Sequence, residues 1–275
     1  MSAIRTFTKV SAAYDAFLRG WEHFRRATPR DYAKAIPYFE QAIKLDHDYG
    51  RAYAALALVH QWKAATAWHR TIEDFTTDTI TAINRNLREA KKHPTSTYHQ
   101  VAGTLATGYR LYPEAIANFN EAIALDPSDS WSYAYMARAL ALAGQPTEAI
   151  QYIRTAMRVD PHYPPIFLSF LGLAQFDLEQ FEQAAVSLEK ATSLNPEDSA
   201  GLLLLGATYG YLGRKQEAKS AVAAYDALGH RHGRPPITAT YAWGDWDFRS
   251  RADRDRLFNG LLLAGVPERA PSKQR

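Results

Sequence analysis

Asp245 and Asp247 alternate with Trp243, Trp246 and Phe248 near the end of the chain. Paired carboxylates among aromatic rings suit acid–base or sugar chemistry, and a tryptophan-anchored cap accounts for the same residues. His230 and His232 stand one residue apart in HRHG, half of a metal site without a third ligand nearby; a solvated basic loop fits as well. Arg231, Arg234, Arg249, Arg251, Arg254 and Arg256 make this end basic. Aspartates interleave with them from Asp245 onward, which reads as solvated ion pairs rather than a phosphate-binding stripe. The glycines of GATYGYLG (206–213) lack the following Lys-Ser or Lys-Thr of a phosphate loop. No HExxH, GxSxG or EF-hand pattern occurs either. No catalytic residue, cofactor or metal is therefore expected. The competing class is an enzyme that uses the Trp/Asp segment or the stretch 63–78.

Composition narrows the remaining classes. The chain has 275 residues, 47% hydrophobic and 12% aromatic, enough to build a sizeable core rather than a disordered tail. It has no cysteine, which removes disulfide frameworks and thiol catalysis. Thirty-two basic against 29 acidic residues leave +3, too little to argue for a nucleic-acid partner. No run of about eighteen apolar residues is present, so no membrane span is expected. The opening MSAIRTFTKVSAAYDAFLRG lacks a secretory apolar core, so a cytoplasmic location is expected.

Elements must position whatever these residues do, and here the sequence is periodic. AIANFNEAIALDPSD (115–129) recurs as AIQYIRTAMRVDPHY (149–163) and AAVSLEKATSLNPED (184–198), with an earlier copy, AIPYFEQAIKLDHDY (35–49). Pro94, Pro127, Pro161 and Pro196 follow one another at 33, 34 and 35 residues. Within each unit a small residue (Ala115, Ala149, Ala184, Ala218) opens a helix, and a bulky one follows four positions on (Phe119, Ile153, Leu188, Val222). In three units a second alanine completes the face (Ala122, Ala156, Ala191). A small residue also marks the preceding helix: Gly103, Ala137, Gly172, Gly206. The alanines let two helices approach and the bulky residue fills the gap. Asp-Pro or Asn-Pro then ends the helix, because proline cannot continue it. The reading is a repeated helix–turn–helix of about 34 residues.

These units resemble tetratricopeptide repeats. Gly103, Ala115, Phe119, Ala122 and Pro127 match one full unit; Gly172, Ala184, Ala191 and Pro196 match another; Gly206, Tyr209 and Ala218 begin the last. The resemblance implies an all-α, right-handed superhelical solenoid of helix–turn–helix hairpins, closed by a C-terminal capping helix. The expected organisation is an N-terminal arm (1–12) and about six repeats (13–49, 50–95, 96–129, 130–164, 165–198, 199–228). An aromatic loop with the capping helix (229–268) and a charged tail (269–275) follow. The turn RRATPRD (25–31) is longer than the family's. The second repeat carries a surplus around 63–78, either a partner-facing insertion or padding at the end of the stack. The stretch after Leu228 reads as a loop over the last repeat. In the helix after it, Leu257, Leu261 and Ala264 share one face, which suits a docked cap.

Residues 13–57 and 251–268 also resemble the two ends of the repeat region downstream of bacterial class III adenylate/guanylate cyclase domains. Similar opening segments follow winged-helix domains in some transcriptional regulators. That resemblance implies a regulatory or docking module and no nucleotide site in this chain.

The repeat resemblance places the first helix of each unit on a concave groove. Projection puts Gln100, Thr104, Trp131, Tyr135, Arg138, Ser169, Leu173 and Phe176 there, or, for the aromatics, against the next hairpin. Large aromatics and arginine dominate binding hot spots. The expected partner is a protein or peptide, with self-association through exposed repeat ends as a further possibility. Family members that grip chaperone tails use Lys and Asn clamps, and Ala54, Leu58, Gln100 and Trp131 occupy the corresponding places here. The expected function is a protein-interaction scaffold linked to a class III cyclase, with a stand-alone adaptor or the repeat region of a winged-helix transcriptional regulator as the alternative.

Overall fold

The computed structural model describes residues 8–26, 29–66, 77–231, 233–245 and 247–269. The described residues form helices and turns, with no strand among them. The helices are α1 (Ser11–Arg25), α2 (Pro29–Leu45), α3 (Gly50–Thr66), α4 (Thr77–Ala90), α5 (Ser96–Gly108), α6 (Tyr112–Leu125) and α7 (Ser130–Leu142). They continue as α8 (Pro146–Val159), α9 (Ile166–Asp177), α10 (Phe181–Leu194), α11 (Ser199–Tyr211), α12 (Lys215–His230), α13 (Ala239–Asp245) and α14 (Arg251–Leu263). The fold is all-α.

Local chemistry explains the boundaries. The helices α6, α8 and α10 end just before Asp126-Pro127, Asp160-Pro161 and Asn195-Pro196, where the proline ring forbids another turn. The Asp129 carboxylate caps α7 by accepting from the amides of Trp131 and Ser132, both at 3.3 Å. Asp198 caps α11 through the Gly201 amide at 3.0 Å. Within a hairpin the small residue meets the bulky one. A methyl group on Gly172 would stand 2.6 Å from Leu188 Cγ, and one on Gly103 2.8 Å from a Phe119 ring carbon. Ala137 and Ile153 are both buried in the corresponding hairpin.

The chain divides into two compact units. Met1–Leu105 with Ala117–Pro127 is one; Ala106–Ile116 with Ser128–Arg275 is the other. In the first, α1 packs on α2, α2 on α3 and α3 on α4. Phe17 centres its core, with ring centroids of Trp21, Phe39 and Tyr49 at 5.7, 5.5 and 5.4 Å and the Arg51 guanidinium 4.8 Å over the ring. The surplus read at 63–78 belongs here. Its ends, 63–66 and 77–78, are helical in α3 and α4, and 67–76 lie outside the described residues, as do Ala27 and Thr28 of the long turn.

In the second unit α7 pairs with α8, α9 with α10 and α11 with α12, while α7, α9 and α11 pack in sequence on one another. Successive hairpins close through the same left-handed turn residue, at Arg110 (φ 60°), Gly144 (81°), Glu179 (60°) and Gly213 (70°). Each is followed by a six-to-one backbone bond: Leu111 to Ala106, Gln145 to Leu140, Gln180 to Gln175 and Arg214 to Tyr209, at 2.8–3.0 Å.

The C-terminal stretch differs from the loop read from sequence. It contains α13, whose start is tied to the chain end by Ala239 N–H to Pro267 O at 3.0 Å and Thr240 N–H to Glu268 O at 3.1 Å. The next residues reach α7 rather than staying over the last hairpin, since Arg249 N–H donates to Leu142 O at 2.8 Å. Helix α14 packs on α13 and α11, with Leu257, Leu261 and Ala264 buried. His232, Trp246, the arm 1–7 and the tail 270–275 lie outside the described residues.

Candidate partner-binding face

The first helices of the second unit read SWSYAYMARALAL, IFLSFLGLAQFD and SAGLLLLGATYGY, with no polar stripe on any of them. A helix that is apolar on every side must be covered on every side. Residues 167–170 and 172–177 of α9 and 201–210 of α11 are all buried. The projected groove residues share that burial. Trp131 and Tyr135 on α7 lie 5.3 Å apart, and Trp131 meets Phe167 edge-on at 5.2 Å. The Ser169 hydroxyl donates to Asp198, the α11 cap. Leu173 is buried, and Phe176, 0% exposed, sits edge-on to Phe181 and Tyr211 at 5.7 and 6.1 Å. Arg138, at 28%, is the most exposed of these six. In the first unit Gln100 and Thr104 are buried on α5, and the Thr104 hydroxyl donates to Gln100 O at 2.7 Å.

Part of that burial comes from the C-terminal segment, which meets the end of α7 through Arg249 and α11 through α14. The Asp247 carboxylate stands 3.8 Å from Arg110 Nε and 4.0 Å from Arg138 Nη2, and its carbonyl accepts from the Tyr112 hydroxyl. Burial, then the Asp247 charge, pushes the Tyr112 phenol up to about 12. Phe248 is 0% exposed, and its carbonyl accepts from Arg254 Nη1 at 3.3 Å. Burying that ring supplies about 1.5–3 kcal/mol. The part-exposed ion pairs add under about 1 kcal/mol each and mainly set register.

Helix α14 packs on α11 and reaches the turn after α9. Tyr211 donates its hydroxyl to Arg256 O at 3.0 Å. Arg256 binds Asp253 at 2.7 Å and Glu179 at 3.2 Å. A methyl group on Gly260 would stand 2.9 Å from the Ala207 methyl, from the Ala207 carbonyl and from the Tyr211 ring. Asp177, beside this cluster, has no hydrogen-bond partner for either carboxyl oxygen among the described residues. Burial and the nearby Asp253 raise its pKa well above the ordinary aspartate value, against the pull of Arg256.

Two residues of this face carried no flag in the sequence reading, Arg110 and Glu179. A left-handed backbone costs a residue with a side chain about 1–2 kcal/mol. Two of the four turns avoid that with glycine; the other two hold Arg110 and Glu179. Both of those side chains pair with the C-terminal segment, Arg110 with Asp247 and Glu179 with Arg256. Aligning the four turns would have exposed the exchange. Asp247, weighed in the sequence as half of a carboxylate pair, is an ion-pair partner here; the Asp245 side chain lies outside the described residues. Among the described residues no group of three His, Cys, Asp or Glu side chains is placed to hold a metal, and no helix is long and apolar enough to cross a membrane.

Comparison with known proteins agrees with this geometry. Residues 30–49 and 167–198 match one tetratricopeptide repeat model, and 118–151 match another. The chain is 23% identical over 191 residues to Superkiller protein 3 of Schizosaccharomyces pombe, covering 69% of this chain and 13% of that one. It is 26% identical over 172 residues to the DnaJ homolog subfamily C member 7 homolog of Dictyostelium discoideum, covering 61% and 25%. The chain thus spans a quarter or less of the length of these relatives. Among solved structures it resembles the APC/C hetero-tetramer Cut9–Hcn1, with a TM-score of 0.59 at 18% identity, over 94% of this chain and 48% of that one. The hairpins, their 34-residue spacing and these matches agree: the chain carries tetratricopeptide repeats.

Proposed function

We propose that this chain is a protein-interaction module that holds a segment of another protein against the first helices of its hairpins. The observation that carries the reading is that this face already holds polypeptide. Residues 247–249 meet the α5–α6 turn, the start of α6 and the end of α7: the Asp247 carboxylate stands between Arg110 and Arg138, its carbonyl accepts from the Tyr112 hydroxyl, and the Arg249 amide donates to Leu142 O. Those are the means by which a peptide is gripped, and aromatic and arginine anchors dominate such contacts. The matches to tetratricopeptide repeat models support the same class. Of the projected groove residues, Arg138 offers the most accessible contact. Trp131, Tyr135, Ser169, Leu173 and Phe176 shape the surface of the second unit from beneath, and Gln100 and Thr104 are buried in the first unit.

The test is quantitative affinity purification of the tagged chain from its source cells, comparing wild type, Arg138→Glu and Val186→Ala. Val186 is 67% exposed on α10 and serves as the control. Arg138→Glu is expected to lose at least one co-purifying protein about tenfold, while Val186→Ala retains it. An unchanged set in a folded Arg138→Glu chain contradicts the reading.

The finer form of the proposal is a cytoplasmic module working with a bacterial class III nucleotide cyclase rather than with nucleic acid. It is supported by the resemblance of 13–57 and 251–268 to the flanks of those repeat regions. Blotting the endogenous protein, followed by cyclase assay with and without this region, tests it. A cyclase indifferent to the region contradicts it.

A further inference from the structure

We infer that the α13–α14 segment is a displaceable internal ligand, and that the partner of this face presents the same pattern: an acidic residue, an aromatic next to it, and an arginine nine positions on. This rests on the interaction reading above and goes further, because it assigns the ligand's chemistry. Asp247, Phe248 and Arg256 have that spacing, and the two charged members meet opposite charges outside the segment. Asp247 lies between Arg110 and Arg138, Phe248 is buried, and Arg256 reaches Glu179.

The hairpin turns supply the independent argument. Four equivalent turns need a left-handed residue, and Gly144 and Gly213 adopt it without strain. The two turns that forgo glycine hold a cation, Arg110, and an anion, Glu179, and these side chains address Asp247 and Arg256. Strain retained where a side chain meets a ligand marks a recognition surface. A purely structural cap needs only the apolar seam of Leu257, Leu261 and Gly260 on α11, which leaves the polar reach to Arg110 and Arg138 unexplained.

A segment held in cis competes at high effective concentration, so a partner of the same chemistry binds weakly until the cis contact is loosened. The experiment uses the full chain and a fluorescent synthetic peptide of residues 245–264. Gly260→Leu lifts α14 off Ala207 and Tyr211 while leaving Arg110, Arg138 and Glu179 in place. A second variant, Asp247→Lys with Phe248→Ala, loosens the same segment without touching α11, in case Gly260→Leu fails to fold. The expected result is peptide binding at least tenfold tighter to either variant than to wild type. Adding Arg138→Glu or Glu179→Lys cancels the gain.

No gain in folded variants overturns the inference, and the partner loss on Arg138→Glu still stands as a separate result. Equal binding of a peptide carrying Asp247→Lys and Phe248→Ala overturns the assigned chemistry, leaving a general apolar face. Elution of a loosened variant as a dimer means that the occupant is a second copy of this chain, which overturns the proposal of a distinct partner.

Discussion

Gly260 of α14 faces Ala207 of α11 so closely that a methyl group on the glycine would stand 2.9 Å from both the Ala207 methyl and its carbonyl. The two helices meet backbone to backbone, and the seam tolerates no side chain. Gly260→Leu is expected to cost about 1–3 kcal/mol. Hydrogen exchange should show the amides of 251–263 opening first, with the α7–α12 helices retained.

Phe248 fastens the other end of the segment. Phe248→Ala leaves a cavity in place of a fully buried ring and should cost about 3 kcal/mol. Urea unfolding followed by tryptophan fluorescence measures it. A change within about 0.5 kcal/mol, the usual range for surface substitutions, would mean that the ring is not packed.

The repeat itself makes a paired prediction. Gly172→Ala places a methyl 2.6 Å from Leu188 Cγ, the branch point of that side chain, which cannot swing aside, and should cost about 1–3 kcal/mol. Gly108→Ala, in the last turn of α5 with nothing within 4 Å, should be neutral or gain about 0.5–1 kcal/mol. Thermal unfolding of the two variants side by side checks both.

That prediction shows how much was legible. Glycine or alanine facing a bulky residue, and Asp-Pro or Asn-Pro stops, are local signals, and the hairpins at Gly103, Gly172 and Gly206 follow from them. The stripe-free helices α9 and α11 are buried almost throughout, as their composition demands. What supplies the cover was not legible, because Tyr112 and Asp247 are 135 residues apart and no local pattern links them. Arg110 and Glu179 escaped notice because a turn residue is judged by backbone preference, and neither type favours the left-handed region.

Asp177 predicts a pH dependence. Its folded pKa is raised by burial first and by Asp253 second, so the group favours folding below the ordinary aspartate value. That advantage is lost as pH rises from about 4 through the folded pKa, because the unfolded chain gives up the proton more readily. Asp177→Asn has no such proton to hold. Its melting temperature should exceed wild type at pH 7, and the difference should shrink toward pH 4. A difference independent of pH would mean that Asp177 carries the same charge folded and unfolded.

Arg110→Gly separates recognition from stability. Glycine relieves the left-handed strain at φ 60°, so the hairpin should hold or gain about 1 kcal/mol while the Asp247 contact is lost. Exchange at 247–249 should accelerate as the global melting temperature stays level or rises. Unchanged exchange with a lower melting temperature would assign Arg110 a structural role only.

The most direct measurement is the exchange rate of the Arg249 amide, read by NMR on the intact chain. Its hydrogen bond to Leu142 O at 2.8 Å ties the C-terminal segment to the end of α7. Exchange about a hundredfold or more slower than in a free peptide is expected, falling back toward the free rate in Phe248→Ala. Exchange at the free rate in the folded wild-type chain would show that the face is open and the segment is not its ligand.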